Sequence, residues 1–439
     1  MASLRIPSLD IFRRRQFTLF WAGRWFGTLA IQMQLAAMFW QVYDTARIHG
    51  QDIREGALTL GLVGLAQFLP LLALSLFGGQ AADRYNRKLI LLICFGMKTL
   101  IALGLCVATQ FGPDVVVPAI FAAAILAGAT NAFMPPAASA LLPMLLPRED
   151  LPQGIAMSSL AFQSALIIGP SVGGLLCGIS PLLAYGTVLI LLLVSTAMVF
   201  ALKPPKQEQV KDARTIGMIV MIVDGLKYVW SNKIVLGAIS LDLVVVLLAG
   251  AVALLPVFAR DILHGSASES GLLRSAMGVG AASVALMLAL APLRRRVGLW
   301  MFGSTIVFGL ATIAFAQSTS IWLAAAAMVV AGGVDMISVY VRSSLIQLAT
   351  PDSMRGRVSA VSFVFISASN ELGDFEAGLM ARIFGPVMAV TIGGTAAVAA
   401  SLGWMKLFPV LAQADGFESK SLSPEAQSAV QLNQEVEKT

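Results

Sequence analysis

Long apolar runs recur along nearly the whole chain, separated by short polar pieces. Twelve of them are long enough for a helix to cross a bilayer. The first half holds runs at about 17–43, 58–80, 89–110, 116–136, 153–178 and 182–202. The second half holds runs at about 233–258, 270–292, 299–317, 321–346, 358–384 and 386–410. They are too long for the tilted strands of a membrane barrel. One interval stands out: 203–232 is polar and basic, with Lys203, Lys206, Lys211, Arg214 and Lys227. Its part 215–230 is amphipathic and predicts a helix lying on the membrane surface. The pattern predicts an all-α membrane protein with a six-helix bundle over 1–202, a linker over 203–232 and a second six-helix bundle over 233–410. The polar segment 411–439 is expected to be disordered.

Composition excludes a soluble alternative. The chain is 57% hydrophobic and 12% charged, whereas soluble domains carry about 25% charged residues. All three cysteines, Cys94, Cys106 and Cys177, fall in apolar runs, so no disulfide framework is implied. The net charge of +6 sits in short loops, where it sets orientation and does not mark nucleic-acid binding. With the N-terminus cytoplasmic, twenty-two Lys and Arg residues lie on the inner side. Only Arg47, Arg54, Arg260 and Arg382 lie in outer loops. This bias predicts an even number of crossings with both termini inside. Trp21, Trp40, Tyr43, Trp230, Trp300, Trp322 and Trp404 lie near predicted span ends, as interfacial aromatics do. The first apolar run is too long for a signal peptide and lacks a small-residue cleavage site, so it is expected to stay.

Ionisable residues inside the spans are the first candidates for chemistry, because a charge at that depth is costly unless it faces a cavity or a partner. Arg24, Lys98, Arg274 and Arg342 are basic; Asp242, Asp335, Glu371, Asp374 and Glu376 are acidic. Burial favours a neutral carboxyl group and a nearby guanidinium favours the charged one, so a carboxylate moving between the two can act as a proton switch. Asp242 is the first such candidate, with no charged neighbour on its own helix; a permanent pairing with Arg24 or Lys98 is the plainer alternative. Asp335 and Arg342 are seven residues apart, on one helix face about 10 Å apart along the axis, with Ser338 between them. They either share a cavity or pack against neighbours. Glu371 and Asp374 share a face beside Asn370 and either bind a proton or hold helices together. Gln32, Asn131 and Gln163 are further cavity candidates, with interhelical bonding the commoner role for such residues. Gln32 and Gln34 point to opposite faces, so only one of them is expected to line a cavity.

Three motifs carry a resemblance. The stretch from Gly79 to Lys88 (Gly-Gln-Ala-Ala-Asp-Arg-Tyr-Asn-Arg-Lys) is a tight basic turn between two helices. Gly79 is expected to allow close helix approach, and Asp83 to cap a helix or pair with a base. Arg84, Arg87 and Lys88 hold the loop inside. It resembles the Gly-x-x-x-Asp-Arg-x-Gly-Arg-Arg signature of the major facilitator superfamily, with Asn86 in place of the usual glycine. Asn86 is expected to take a left-handed turn. The resemblance implies that Asp83 and Arg87 help latch a cytoplasmic gate; a purely topological loop is the alternative. Gly169-Pro170-Ser171-Val172-Gly173-Gly174 resembles the superfamily's antiporter element. There Pro170 would kink the helix and Gly173 and Gly174 would admit a neighbouring backbone. Pro135-Pro136, Leu255 to Asp261, Pro351 to Val358 and Ser369 to Gly373 together resemble the enterobactin-exporter-like branch, over about residues 12 to 410.

What this implies is a major facilitator fold in a bacterial plasma membrane. The expected function is proton-coupled efflux of an amphipathic small molecule, a siderophore or drug-like compound, by alternating access between the two halves. The proton gradient would supply the energy, with the lipid bilayer and a small-molecule substrate as partners and a monomer as the working form. A lipid or lysolipid flippase of the same fold, a transporter-like receptor and a channel are the competing readings. No phosphate-binding Gly-x-x-x-x-Gly-Lys loop, no Cys/His metal spacing and no cofactor motif occurs. The chain's two histidines, His49 and His264, fall in predicted outer loops, so no enzyme activity is expected.

Overall fold

The computed structural model describes residues 9–147, 149–205, 218–293, 295–350 and 352–415. Nearly all of them are helical, as hydrocarbon requires of a backbone that finds no water to bond with. The first six long helices are α1 (Arg15–Ile48), α2 (Ile53–Arg84), α3 (Arg87–Ala108), α4 (Pro113–Leu145), α5 (Leu151–Ile179) and α6 (Pro181–Ala201). After the linker come α7 (Met218–Ser231), α8 (Lys233–Leu248), α9 (Leu255–Val257) and α10 (Ala267–Leu290). The remainder are α11 (Val297–Ala316), α12 (Ile321–Ala349), α13 (Asp352–Phe384), α14 (Pro386–Leu407) and α15 (Pro409–Ala412). Among the described residues, ten segments have both the length and the apolar character to cross a membrane. Helices α1 and α13, of 34 and 33 residues, have the length but carry ionisable and amide side chains that lower their hydropathy. With these two, the described residues hold twelve helical segments long enough to cross, the number expected.

Several boundaries differ from the hydropathy pattern. The fourth run was expected to end near 136, but α4 continues to Leu145 through Pro135, Pro136 and Pro143. A proline costs one helix bond, which packed neighbours can compensate within a membrane. The seventh run, expected as one helix over 233–258, breaks after Leu248 and resumes as a 3-10 turn, α9 and a π turn to Ile262. The break lies where Gly250 packs tightly against the backbone of Gly373, leaving little room for a Cβ.

The described residues form two compact units that are not the contiguous halves expected from span counting. One unit contains those within Met1–Gly50, Ala66–Ala213 and Gly265–Ser275. The other contains those within Gln51–Leu65, Arg214–His264 and Ala276–Thr439. In the first, Phe17, Phe20, Met33, Leu91, Phe95 and Leu192 form the core. In the second, Leu241, Val245, Met301, Phe302, Val341 and Leu411 form one cluster. The expected tail includes ordered residues there: Leu411 and Ala414 are buried, and Asp415 accepts a bond from Arg296 N at 3.1 Å. The rest of it, 416–439, lies outside the described residues.

The amphipathic segment forms α7, but it is docked on protein and does not simply lie on a surface. Val229 is buried in a cluster with Val235, Ile239, Ile346, Val358 and Val361, while Trp230 is exposed. The Tyr228 hydroxyl donates to the carbonyl of Ala349, at the end of α12. Asn232 caps α8, accepting from Ile234 N at 3.1 Å and Val235 N at 3.2 Å. Burial pushes the Tyr228 phenol above its usual value, so it remains a donor at neutral pH. Its contribution should be complete below the unfolded value of about 10 and disappear as pH rises through the higher folded value. Tyr228→Phe should lower stability by about 1 kcal/mol and speed deuterium exchange in α7, measured on the purified protein. Unchanged exchange would show that the apolar cluster alone holds the helix.

Candidate functional site

Helices α8 and α12 of the second unit bring Asp242 and Arg342 together as an ion pair. The two residues are 5% and 4% exposed, so neither charge is shared with solvent. Neither Arg24 nor Lys98, the partners suggested by sequence, fills this role. Arg342 is turned to Asp242 on α8. One turn before it, Ser338 is buried and its hydroxyl bonds to nothing among the described residues. Asp335 is half-buried and has no hydrogen-bond or ion-pair partner among the described residues. One guanidinium thus faces the carboxylate on α8, while Asp335 lies seven residues before it on α12.

On α13, Glu371 and Asp374 are both engaged in interactions. Gly64 of α2 packs against the Asp374 Cβ, and Gly61 against the backbone of Phe375 and Gly378. Glu376 is half-buried and has no partner among the described residues. Asn370 is exposed and donates to Ile366 O of its own helix at 3.0 Å.

The first unit carries the opposite charge inside its spans. Lys98, 3% exposed, donates to Asn131 Oδ1 at 3.0 Å and has no carboxylate partner among the described residues. Arg24 is half-buried over the Phe20 ring, 5.6 Å from its centroid, and likewise has none. Its neighbours Trp21 and Trp25 are tied to α5 through Met157 O and Ser164 Oγ, at 2.8 and 2.9 Å. Gln32 Oε1 is buried with no partner among the described residues, whereas Gln34 donates to the Met38 sulfur at 3.5 Å. Gln163 is half-buried on α5.

The basic turn works as a set of helix caps. Asn86 has φ −62° and ψ 112°, extended and not left-handed, and its side chain accepts from Lys88 N and Leu89 N at the start of α3. Asparagine is a strong cap in that conformation, which accounts for the departure from glycine. Gly79 has open space beside it; the close approach belongs to Gly78, which leaves no room for a Cβ against the carbonyl of Ala132. Arg87 donates to Ala82 O and Ala140 O at 3.1 and 3.2 Å. Lys88 donates to Phe200 O and Leu202 O at 2.8 and 2.6 Å. Arg84 is exposed, and the Asp83 side chain lies outside the described residues.

In the proline element, α5 runs without interruption through Pro170. Gly169 packs on Gln32, Gly173 on the backbone of Met33, and Gly174 on Ala267 and Gly271 of α10. Ser275 of α10 accepts from Ser171 N at 3.1 Å and donates to Ile167 O. These two groups are helix partners beside the position where proline lacks its N–H. Ser275 carried no motif in the sequence; only its seat against α5 reveals it.

Residues 6–437 match the family described as transmembrane secretion effector. The chain belongs to this family of major facilitator transporters. The enterobactin exporter of Citrobacter koseri is 27% identical over 356 residues, covering 80% of this chain and 82% of its own. That of Salmonella typhi is 27% identical over 344 residues, covering 77% and 80%. The fold is shared with a D-xylose–proton symporter, TM-score 0.69 at 13% identity, over 90% of this chain and 99% of that one. It is shared too with a bacterial homologue of the human lysosomal transporter Spinster, TM-score 0.67 at 13% identity, over 91% and 96%. This secretion effector is therefore a multi-pass secondary transporter and not an enzyme.

For this transporter the buried pair makes a clear prediction. Arg342→Met alone should destabilise the protein by about 3–5 kcal/mol, because it strands Asp242. Asp242→Leu with Arg342→Met should recover most of that loss. Thermal unfolding of the single and double variants in detergent measures the coupling; purely additive losses would mean the two charges do not depend on each other.

Proposed function

We propose that this transporter is a proton-driven exporter of an amphipathic small molecule, a siderophore or drug-like compound, in a bacterial inner membrane with both termini cytoplasmic. The similarity to enterobactin exporters supports export, and the antiporter-like element around Pro170 supports proton exchange. The observation that carries the coupling is that Arg342 is bonded to Asp242 while Asp335, on the helix of Arg342, has no described partner.

Coupling then works by exchange of partners. With Arg342 on Asp242, a proton on Asp335 removes the one uncompensated charge of the trio, which hydrocarbon depth otherwise penalises. A proton arriving on Asp242 instead frees Arg342 for Asp335, and the proton from Asp335 leaves. Glu371 and Asp374 are secondary carriers on α13. Arg24 and Lys98, cations without a carboxylate partner among the described residues, are the contacts for an anionic part of the substrate. Gln32, Asn131, Gln163 and Asn370 supply further polar contacts. Alternating access would expose these groups to the two faces in turn.

Proteoliposomes with an imposed pH gradient should move a fluorescent amphipathic dye or a siderophore against its concentration gradient. A protonophore should abolish that accumulation; transport unaffected by it would overturn proton coupling. Asp335→Asn and Asp242→Asn should each lose gradient-driven accumulation while keeping substrate exchange. Full driven transport in both would remove the partner exchange as the coupling step.

A further inference from the structure

The first unit has a cavity of about 520 Å³ at the ends of its helices, where α2 and α6 finish and α3 begins. Four cationic residues line it: Arg84, Arg87, Lys88 and Lys203. No acidic residue is among its described lining. Among the described residues, Arg87 and Lys88 bond to backbone carbonyls and the Met144 sulfur, which carry only partial charges. Arg84 and Lys203 are exposed, and their side chains make no described bond. The N-terminus of α3 points its positive dipole end to the same place. An unbalanced basic pocket of this size fits an anion, and phosphate in particular, which several N–H donors can share.

The surroundings decide which kind of anion. Phe200, whose ring lies 5.5 Å from Lys88 Nζ, is 72% exposed. Leu89, Ile93 and Leu100 on α3, and Ile190 and Leu193 on α6, are exposed as well. Helices α3 and α6 pack on each other, so this apolar surface runs from the cavity along the pair. Charge at the mouth with an exposed apolar track beside it is the profile of a glycerophospholipid.

We propose that this cavity binds the headgroup phosphate of an anionic phospholipid whose acyl chains lie along α3 and α6. The site holds the ends of α2, α3, α4 and α6 in one cationic cluster, and the lipid phosphate supplies a negative charge to it. It does not depend on what the protein exports.

The test uses the full-length protein in detergent. Native mass spectrometry with phosphatidylglycerol and phosphatidylcholine should show preferential retention of phosphatidylglycerol, reduced at high salt. Arg84→Gln with Lys203→Gln leaves the caps made by Arg87 and Lys88 intact. This variant should unfold at the wild-type temperature without lipid but lose anionic-lipid affinity by about fivefold for each charge removed. Equal retention of the two lipids, or unchanged preference in the variant, would overturn the proposal. Inorganic phosphate or glycerol phosphate displacing the lipid only weakly is expected. Phosphate alone reproducing the thermal stabilisation given by phosphatidylglycerol would overturn the lipid assignment.

Discussion

A charge in hydrocarbon has no water to hold it, so each ionisable side chain in a span must find a partner or a cavity. The second unit meets this demand by bringing α8 against α12, where Asp242 and Arg342 are enclosed together. Taking both from water costs several kcal/mol per ion, which only close contact offsets. That contact restricts the rotation and depth of both helices. Asp335, seven residues before Arg342 on α12, is left with no partner among the described residues. The first unit meets the same demand differently, with Lys98 on a neutral amide and Arg24 over an aromatic face. Such partners screen a cation poorly, which leaves it available to an anion.

The same lack of water governs helix ends. Each helix leaves carbonyls at its C-terminus and N–H groups at its N-terminus without intrahelical partners. Here side chains from neighbouring helices supply them: Arg87 at Ala82 and Ala140, Lys88 at Phe200 and Leu202, and Tyr228 at Ala349. Asn86 and Asn232 do the equivalent work at the starts of α3 and α8. The basic motif is thus a local device that ties four helix ends together, whatever further part it takes in gating. Ser275 at α5 extends the pattern into the span, where its hydroxyl joins the backbone beside Pro170.

Much of the fold was legible because hydrocarbon thickness acts directly on sequence. A crossing helix needs a run of a certain length and polarity, and the runs at 89–110 and 182–202 became α3 and α6 almost unchanged. Prolines misled at the end of α4, because the pattern does not show which neighbours compensate for the missing bond. Gly79 was expected to be the close contact, yet Gly78 has that position. One residue turns a helix by about 100°, so the facing position depends on rotation that the motif does not specify.

Composition and spacing alone determined that the chain crosses a membrane, where its helices lie, and which few ionisable residues sit at depth. These follow from a local balance between each segment and its solvent. Only the tertiary structure decided that Arg342, and not Arg24 or Lys98, meets Asp242, that Asp335 has no described partner, and that Lys98 rests on Asn131. Pairing depends on which helices are neighbours and how each is turned, and residues a hundred positions apart carry no record of that in their own sequence.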